Sequence, residues 1–423
     1  MSAADFIDRA ERDILPVLPA RAPDIARLRA IAAQDGLATV TVVGKYNHGK
    51  SRLLNELMGR DTFAVADRRE TQALGEAVQG AVRWLDAPGL DADVAGADDD
   101  FAQQAAWLQS DVRLFVHSAK SGELDALERR LLERLCADAQ TTRRQTLLVV
   151  TQVDQMADDA ELALVSAAIA AQAPGVALHP VSATRHRRGV EGGKKLLIEK
   201  SGIPALRAEL GRALERVPAA RACETARLWE TIDGELHAAR VQRQDRLDHL
   251  LLRQTNERAR FEADLSAVFD KARDGLQHLL SGPGPDRALE PDTAADGFRL
   301  TVGRQERALV QVAYSKVCIQ INAVLTRHGA NELPAAQHTV AHSLNSVMVA
   351  VLGVSAKYRR DLRKMFFDDA GRAALIRDFT RYFELSADRV ALAESVEQAR
   401  VSIAEAERAQ SAAAALQAQP AAG

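Results

Sequence analysis

Aromatic residues make up only 4% of the 423 residues. A surface that stacks the bases of a single strand needs several exposed rings, so this scarcity argues against such a nucleic-acid partner. Cysteine is scarcer still. Cys136, Cys223 and Cys318 stand far apart, with no CxxC pair and no histidine at ligand spacing. That excludes a disulfide scaffold or a cysteine-based metal knuckle and leaves separate thiols in a reducing compartment. An excess of one charge is also lacking. The net charge of -3 gives no overall field toward nucleic acid or anionic lipid, only the chance of local patches. The longest apolar run, Val347–Val354, is far too short to span a bilayer. The N-terminal stretch MSAADFIDRAERDILP mixes acids and bases and does not read as a signal peptide. With 47% hydrophobic and 27% charged residues, the composition is that of a soluble globular protein of two or three domains, expected in the cytoplasm.

What is present is a change of pattern along the chain. Residues 1–36 read as short helices: Phe6, Ile7, Ala10, Ile14 and Leu15 recur at helical spacing until Pro16 and Pro19 break it, and a second helix runs from Asp24 to about Gln34. From 37 to 215, apolar strands alternate with helices. Ala38–Val43, two short strands in Ala77–Leu85, Val112–Val116, Thr146–Val150 and Ala177–Val181 are the strands. Lys50–Met58, Asp125–Cys136, Asp159–Ala171 and Ile203–Leu214 are the helices. This alternation predicts an α/β domain with a mainly parallel sheet covered on both faces. After Glu215 the strand signal ends. Leu228, Ile232 and Leu236, then Phe261, Leu265, Val268, Phe269, Ala272, Leu276 and Leu279, mark long amphipathic helices. Gly and Pro in Ser281–Gly297 interrupt them. Further helix is expected from Phe298 to His328, from Pro334 to about Arg363 and from Ala370 to about Gln410. The division is therefore 1–36, 37–215, 216–410 as a helical bundle or stalk, and a low-complexity, frayed tail at 411–423.

The chemistry concentrates in the α/β part. Gly44-Lys-Tyr-Asn-His-Gly-Lys-Ser51 is a full GxxxxGK[ST] loop, following a strand and opening a helix. Its glycines let main-chain N–H groups turn inward onto phosphates, with the helix N-terminus behind them. Lys50 would reach the β- and γ-phosphates, Ser51 would ligate Mg²⁺, and Gly44, Asn47, His48, Gly49 and Arg52 complete the loop's contacts. Asp86-Ala-Pro-Gly89 ends a strand. Asp86 would hold Mg²⁺ through water, and the Gly89 N–H would face the γ-phosphate. Thr151-Gln-Val-Asp154 follows the strand TLLVV. Asp154 there can accept hydrogen bonds from guanine N1–H and the 2-amino group, donors that adenine lacks. Ser182 and Ala183 follow the last strand, where the Ala183 N–H can donate to guanine O6. Thr71 is preferred over Thr62 as the residue whose hydroxyl meets Mg²⁺ and whose carbonyl meets the attacking water.

These residues resemble the Era/dynamin branch of P-loop GTPases. Gly44–Ser51 matches the first G motif, Thr71 the second, Asp86–Gly89 the third, Thr151–Asp154 the fourth and Ser182–Ala183 the fifth. The resemblance implies a G domain over 37–215 that binds GTP with Mg²⁺ and hydrolyses it to GDP and phosphate. Two departures stand out. Gln152 replaces the lysine whose stem packs over the base, and Leu90 stands where Ras-like members carry a water-orienting glutamine and the Era and dynamin branches share a hydrophobic residue. Slow intrinsic hydrolysis is implied. Asn47, at the position of an Era-like asparagine, either coordinates an activating K⁺ or bonds its own backbone. His48 is expected to face solvent or a second subunit.

A G domain followed by a helical bundle resembles bacterial dynamin-like proteins. Such proteins self-associate through their G domains, and helices before and after the domain form a neck and stalk. Helix Ala219–Gln254 would join the N-terminal helices there. Val347–Phe367 runs from apolar residues into Lys357, Arg359, Arg360, Arg363 and Lys364, then Met365, Phe366 and Phe367. It is either a buried helix with a basic end or a peripheral contact on the inner face of a membrane. Two other classes stay open: an Era-like ribosome or RNA assembly GTPase, which would carry a KH-type appendage, and a GTP-binding scaffold with little hydrolysis. A protein partner is expected but unnamed by the sequence.

Overall fold

The structure is a computed structural model that describes residues 3–33, 36–63, 75–87, 108–282, 284–293, 296–297, 299–330, 356 and 358–417. It divides into two compact units. One comprises residues 1–239 with 405–423, and the other residues 240–404.

In the first unit, helices α1 (Ala3–Ile14) and α2 (Ala22–Ala33) precede an α/β domain. Its elements are β1 (Ala38–Gly44), α3 (Lys50–Met58), β2 (Gly75–Gln79), β3 (Val82–Asp86), β4 (Val112–Ser118), α4 (Ala126–Thr142), β5 (Gln145–Thr151), α5 (Asp159–Gln172), β6 (Leu178–Pro180), α6 (Ala183–Glu191), α7 (Lys195–Glu199) and α8 (Ile203–Glu215). The six-stranded sheet has the order β2-β3-β1-β4-β5-β6, and only the β2–β3 pair is antiparallel. Strands β1, β4 and β5 read as continuous apolar runs because both of their faces are covered. One face packs Val40, Val42, Leu114 and Val149 under α3 and α8. The other packs Val43, Phe115, Leu148 and Val150 under α4 and α5. Helices α6 and α7 have no apolar stripe that marks them in the sequence. Ser182 starts α6 as an N-cap, its hydroxyl accepting the Arg185 N–H at 2.9 Å.

The chain then continues as helix α9 (Val217–Leu280), which runs from the first unit into the second. Leu228, Trp229, Ile232 and Leu236 of α9 pack with Ile7, Ile14, Ile25 and Leu28 of α1 and α2. Ala409 and Ala413 of the last helix, α13 (Ala387–Gln417), close the same core. The expected frayed tail is therefore corrected over 411–417. Alanine is the best helix former, and its small side chain lets helices approach closely. Residues 418–423 lie outside the described residues.

A buried ionic cluster binds these helices to the sheet. Arg27 of α2 donates to Glu224 of α9 at 3.0 and 2.8 Å and reaches Asp111 at 3.5 Å. Arg221 of α9 pairs with the same Asp111, whose Oδ2 also accepts the Thr39 N–H at 2.7 Å. Arg113 of β4, fully buried, pairs with Asp138 of α4, and Arg144 pairs with Asp138 and Glu224 at 3.1 and 3.4 Å. Burial, with Arg113 and Arg27 beside it, pulls Arg144 down to about 10 against the attraction of Glu224 and Asp138.

The second unit is helical, as expected: α10 (Val302–Arg327), α11 (Arg359–Phe366), α12 (Asp369–Glu384), α9 from residue 240 onward and α13 up to residue 404. Phe261, Leu265, Phe269 and Leu276 pack with Val310, Val317, Ile321, Leu362, Phe366, Phe379 and Phe383, and the Phe261 and Phe383 rings stack at 4.5 Å. Helix α10 is long and apolar enough to cross a membrane by length and composition, but Val310, Val317, Ile321, Val324 and Leu325 lie in this core. Two helix expectations are corrected. The segment Ala370–Gln410 is two helices, because Ser386 Oγ donates to Phe383 O at 2.7 Å and closes α12 where α13 begins. Arg363 does not end a helix. It lies inside α11, which starts after Tyr358, whose N–H is held by Asp361 at 3.1 Å. The remainder of the helix expected from Pro334 falls largely on 331–355, outside the described residues.

Glu224→Ala leaves Arg27 and Arg144 facing each other in a buried site. We expect it to destabilise the first unit by about 3 kcal/mol or more, seen as a lower urea midpoint. A shift no larger than that of the exposed pair variant Glu209→Ala would show that the cluster contributes little.

Candidate nucleotide site

The loop between β1 and α3 is shaped by backbone constraints. A Cβ on Gly44 would lie 2.2 Å from the Val116 carbonyl oxygen, so only glycine lets β1 leave the sheet beside β4 here. Asn47 and Gly49 take left-handed conformations, with φ of 59° and 79°, which folds the loop back onto the start of α3. Lys50 opens α3, and its Nζ donates to Gly44 O and Lys45 O at 3.1 and 3.0 Å, placing the ammonium inside the loop. Arg52, two residues on, is exposed.

Ser51 and Asp86 meet beside the lysine. Ser51 Oγ donates to Asp86 Oδ2 at 2.5 Å, while Asp86 Oδ1 is buried without a hydrogen bond. Burial raises the Asp86 carboxyl above its ordinary range, opposed by the Ser51 hydrogen bond and the Lys50 charge. An orphaned carboxylate oxygen next to a hydroxyl is the oxygen donor set of a hard cation, so these residues fit Mg²⁺. A cation there would favour the ionised carboxylate.

The base side is built from the ends of β5 and β6. Thr151 Oγ1 contacts two carbonyl oxygens, His48 O at 2.6 Å and His117 O at 3.2 Å. Gln152, also left-handed with φ 58°, donates from Nε2 to Asn47 O at 2.7 Å and accepts from Ser118 Oγ at 2.7 Å. In the place of a lysine stem, Gln152 thus cross-links the phosphate loop to β4. Asp154 is held by Ser182, whose Oγ donates to Asp154 Oδ1 at 2.6 Å. Ala183 follows as the first residue of α6. The fourth and fifth motifs therefore touch each other, and the fourth touches the first. Thr71, Gly89 and Leu90 lie outside the described residues. Thr62, the competitor to Thr71, is exposed, and its N–H donates to Asn55 Oδ1 at 3.0 Å.

His48 departs from expectation. It does not face solvent: it is 6% exposed and stands edge-on to His117 at 5.2 Å between ring centres. Burial, joined by the nearby His117 and Lys50 charges and only partly offset by Glu128, pushes it down to about 4, so its imidazole is neutral at pH 7. The turn at Asn47 directs this side chain under the loop. The one sequence signal for its surroundings was a histidine, His117, following the apolar Leu114–Val116 in the strand VRLFVHS.

Residues 39–152 match the family described as 50S ribosome-binding GTPase. GTPase Era of Xanthomonas oryzae pv. oryzae is 30% identical over 268 residues, covering 60% of this chain and 82% of that protein. The chain belongs to the Era-related P-loop GTPases. An uncharacterized protein of Acinetobacter baylyi is 50% identical to this Era-related chain over 385 residues, 91% of this chain and 92% of that protein. Among solved structures, Era of Aquifex aeolicus bound to GDP and AlF4⁻ is 21% identical with a TM-score of 0.31, covering 38% of this chain and 56% of that one. The Era-related chain has a GTP-binding G domain followed by a region that is largely helical among the described residues, and its family binds a guanine nucleotide, usually with Mg²⁺.

Gly44 and Gly211 give a sharp contrast. Gly211 sits inside α8 with open space around its Cα. Gly211→Ala is expected to stabilise the protein by about 0.5–1 kcal/mol, and Gly44→Ala to destabilise it by about 2 kcal/mol or more through forced displacement of β4. Equal thermal midpoints for the two variants would contradict the tight approach at Val116.

Proposed function

We propose that this protein binds and hydrolyses GTP, and that the nucleotide state drives G-domain association that acts on its helical region. The observation that carries this reading is the convergence of Lys50, Ser51–Asp86 and Ser182–Asp154 at one end of the sheet. Lys50 would hold the β- and γ-phosphates and Ser51 and Asp86 the Mg²⁺, which supplies charge neutralisation at the transferred phosphoryl group. Asp154, oriented by Ser182, would accept the guanine N–H groups. Thr71 and Gly89 are proposed to place water and γ-phosphate. Asn47 is proposed to hold a K⁺ in the role of an arginine finger, since Leu90 cannot orient water.

The dynamin-like part of the proposal rests on packing. Helices before and after the G domain share one core, and Arg27, Arg221 and Glu224 tie them to Asp111, just before the N-terminal end of the interior strand β4. This packing supports reading them as a neck. A cytoplasmic protein acting at the inner face of a membrane is the setting we favour. The proposed lipid contact, Val347–Phe367, has Leu362 and Phe366 in the core and Arg359 paired with Glu306. Its apolar part, 347–355, lies outside the described residues. A second reading, ribosome assembly, is favoured by the family description and the Era relatives. Against it, the residues described after Glu215 are helical rather than an αβ RNA module.

Light scattering and phosphate release, run side by side with GDP, GTP and a GDP–aluminium fluoride mimic, test the first reading. We expect a dimer with the mimic and faster release in K⁺ than in Na⁺, both lost in Lys50→Ala. A monomer in every state would refute association, and equal rates in the two salts would refute the cation role of Asn47. Co-sedimentation separates the settings: GTP-dependent pelleting with anionic vesicles supports the membrane reading, and pelleting with 50S subunits instead overturns it.

A further inference from the structure

Beneath the phosphate loop lies a cluster that the nucleotide chemistry does not use. His48 of the loop, His117 of β4 and Glu128 of α4 are 6%, 0% and 2% exposed. Each offers one ligand atom, and the three atoms lie within 4.8 Å of one another. His117 Nδ1 is 2.8 Å and His48 Nδ1 is 3.4 Å from Glu128 Oε1. His48 Nδ1 has no hydrogen bond although it is buried.

The outer atoms of the same three side chains are engaged. His117 Nε2 meets Gly122 O at 3.0 Å, which can only accept, so this nitrogen carries the proton. His48 Nε2 meets Ser121 Oγ at 3.4 Å. Glu128 Oε2 accepts the Asp125 N–H at 3.1 Å within the cap of α4. Protonation at Nε2 leaves Nδ1 of His117 as the lone-pair atom, and the Nδ1 atoms of both rings face Glu128 Oε1. Orientation of ligating histidines and carboxylates through their outer atoms is the usual support of a metal site.

We propose that His48, His117 and Glu128 form a buried site for a divalent transition-metal ion of the zinc type, separate from the Mg²⁺ site at Ser51 and Asp86. Two imidazoles and one carboxylate suit such an ion, and tetrahedral bonds of about 2.0–2.1 Å put ligand atoms about 3.3 Å apart. The 2.8 and 3.4 Å separations to Glu128 Oε1 bracket that value. The ion replaces the proton that His117 and Glu128 otherwise share, and a water completes four ligands. Coordination would join the phosphate loop to β4 and α4, adding to the Lys45–Asp125 ion pair that already links the loop to the cap of α4.

The test uses the full chain, stripped with chelator and kept in excess Mg²⁺ and GDP, then titrated with Co²⁺ and separately with Zn²⁺. We expect one equivalent to survive gel filtration. Co²⁺ should show the intense visible absorption of four-coordinate geometry, which six-coordinate Co²⁺ at the nucleotide does not give. Glu128→Gln, which preserves size and hydrogen bonding, and His48→Val should each weaken binding at least tenfold while circular dichroism stays unchanged. If no equivalent is retained, if the Co²⁺ spectrum is only weak, or if both variants bind as the parent does, the proposal is overturned. The last result would place the ion on other histidines.

Discussion

The approach of Gly44 to the Val116 carbonyl is the constraint from which the site follows. Parallel pairing of β1 with β4 brings the two backbones so close that no Cβ fits between them. The chain must therefore turn out of the sheet at that point. The left-handed Asn47 and Gly49 return it to the sheet edge as the first turn of α3. Lys50 and Ser51 then fall beside Asp86, the last residue of β3 on the other side of β1. The Lys50 ammonium is thereby held inside the loop against the Gly44 and Lys45 carbonyls, at the start of a helix, where phosphates are favoured.

Strand β4 links this loop to the rest of the molecule. Its C-terminal end supplies the His117 carbonyl to Thr151 and the Ser118 hydroxyl to Gln152, and both of those residues also bond the phosphate loop. Its N-terminal end supplies Arg113 and follows Asp111, where Arg27 and Arg221 bring in α2 and α9. One strand thus has the nucleotide motifs at one end and the helical anchor at the other. Charges this deeply buried persist only when each has partners, which the mutual pairing of Arg27, Asp111, Glu224, Arg144, Asp138 and Arg113 provides.

Elements with a strong local signal were legible in the sequence. The apolar runs of β1, β4 and β5 and the stripes Leu228–Ile232–Leu236 and Phe261–Leu265–Phe269 announced their partners' faces by period alone. Helix α6 did not, because polar residues dominate it and Ser182 caps its start, and the five residues of α7 are too few to show a period. The single long helix expected after Ala370 was broken by Ser386, a backbone choice invisible to periodicity. Alanines at 409 and 413 looked like low complexity, yet their small size is what lets α13 pack in the core.

By itself, the sequence determined the order of the phosphate, magnesium and base motifs and the change from alternating to helical pattern. Those signals are local, carried by glycine geometry, donor type and hydrophobic period over a few residues. Only the tertiary structure decided that His48 turns inward onto His117 and Glu128, that Gln152 bonds back to the loop, and that Arg27, Asp111 and Glu224 meet. Each joins residues far apart in the chain, and burial, not residue type, sets what their charges and hydrogen bonds can do.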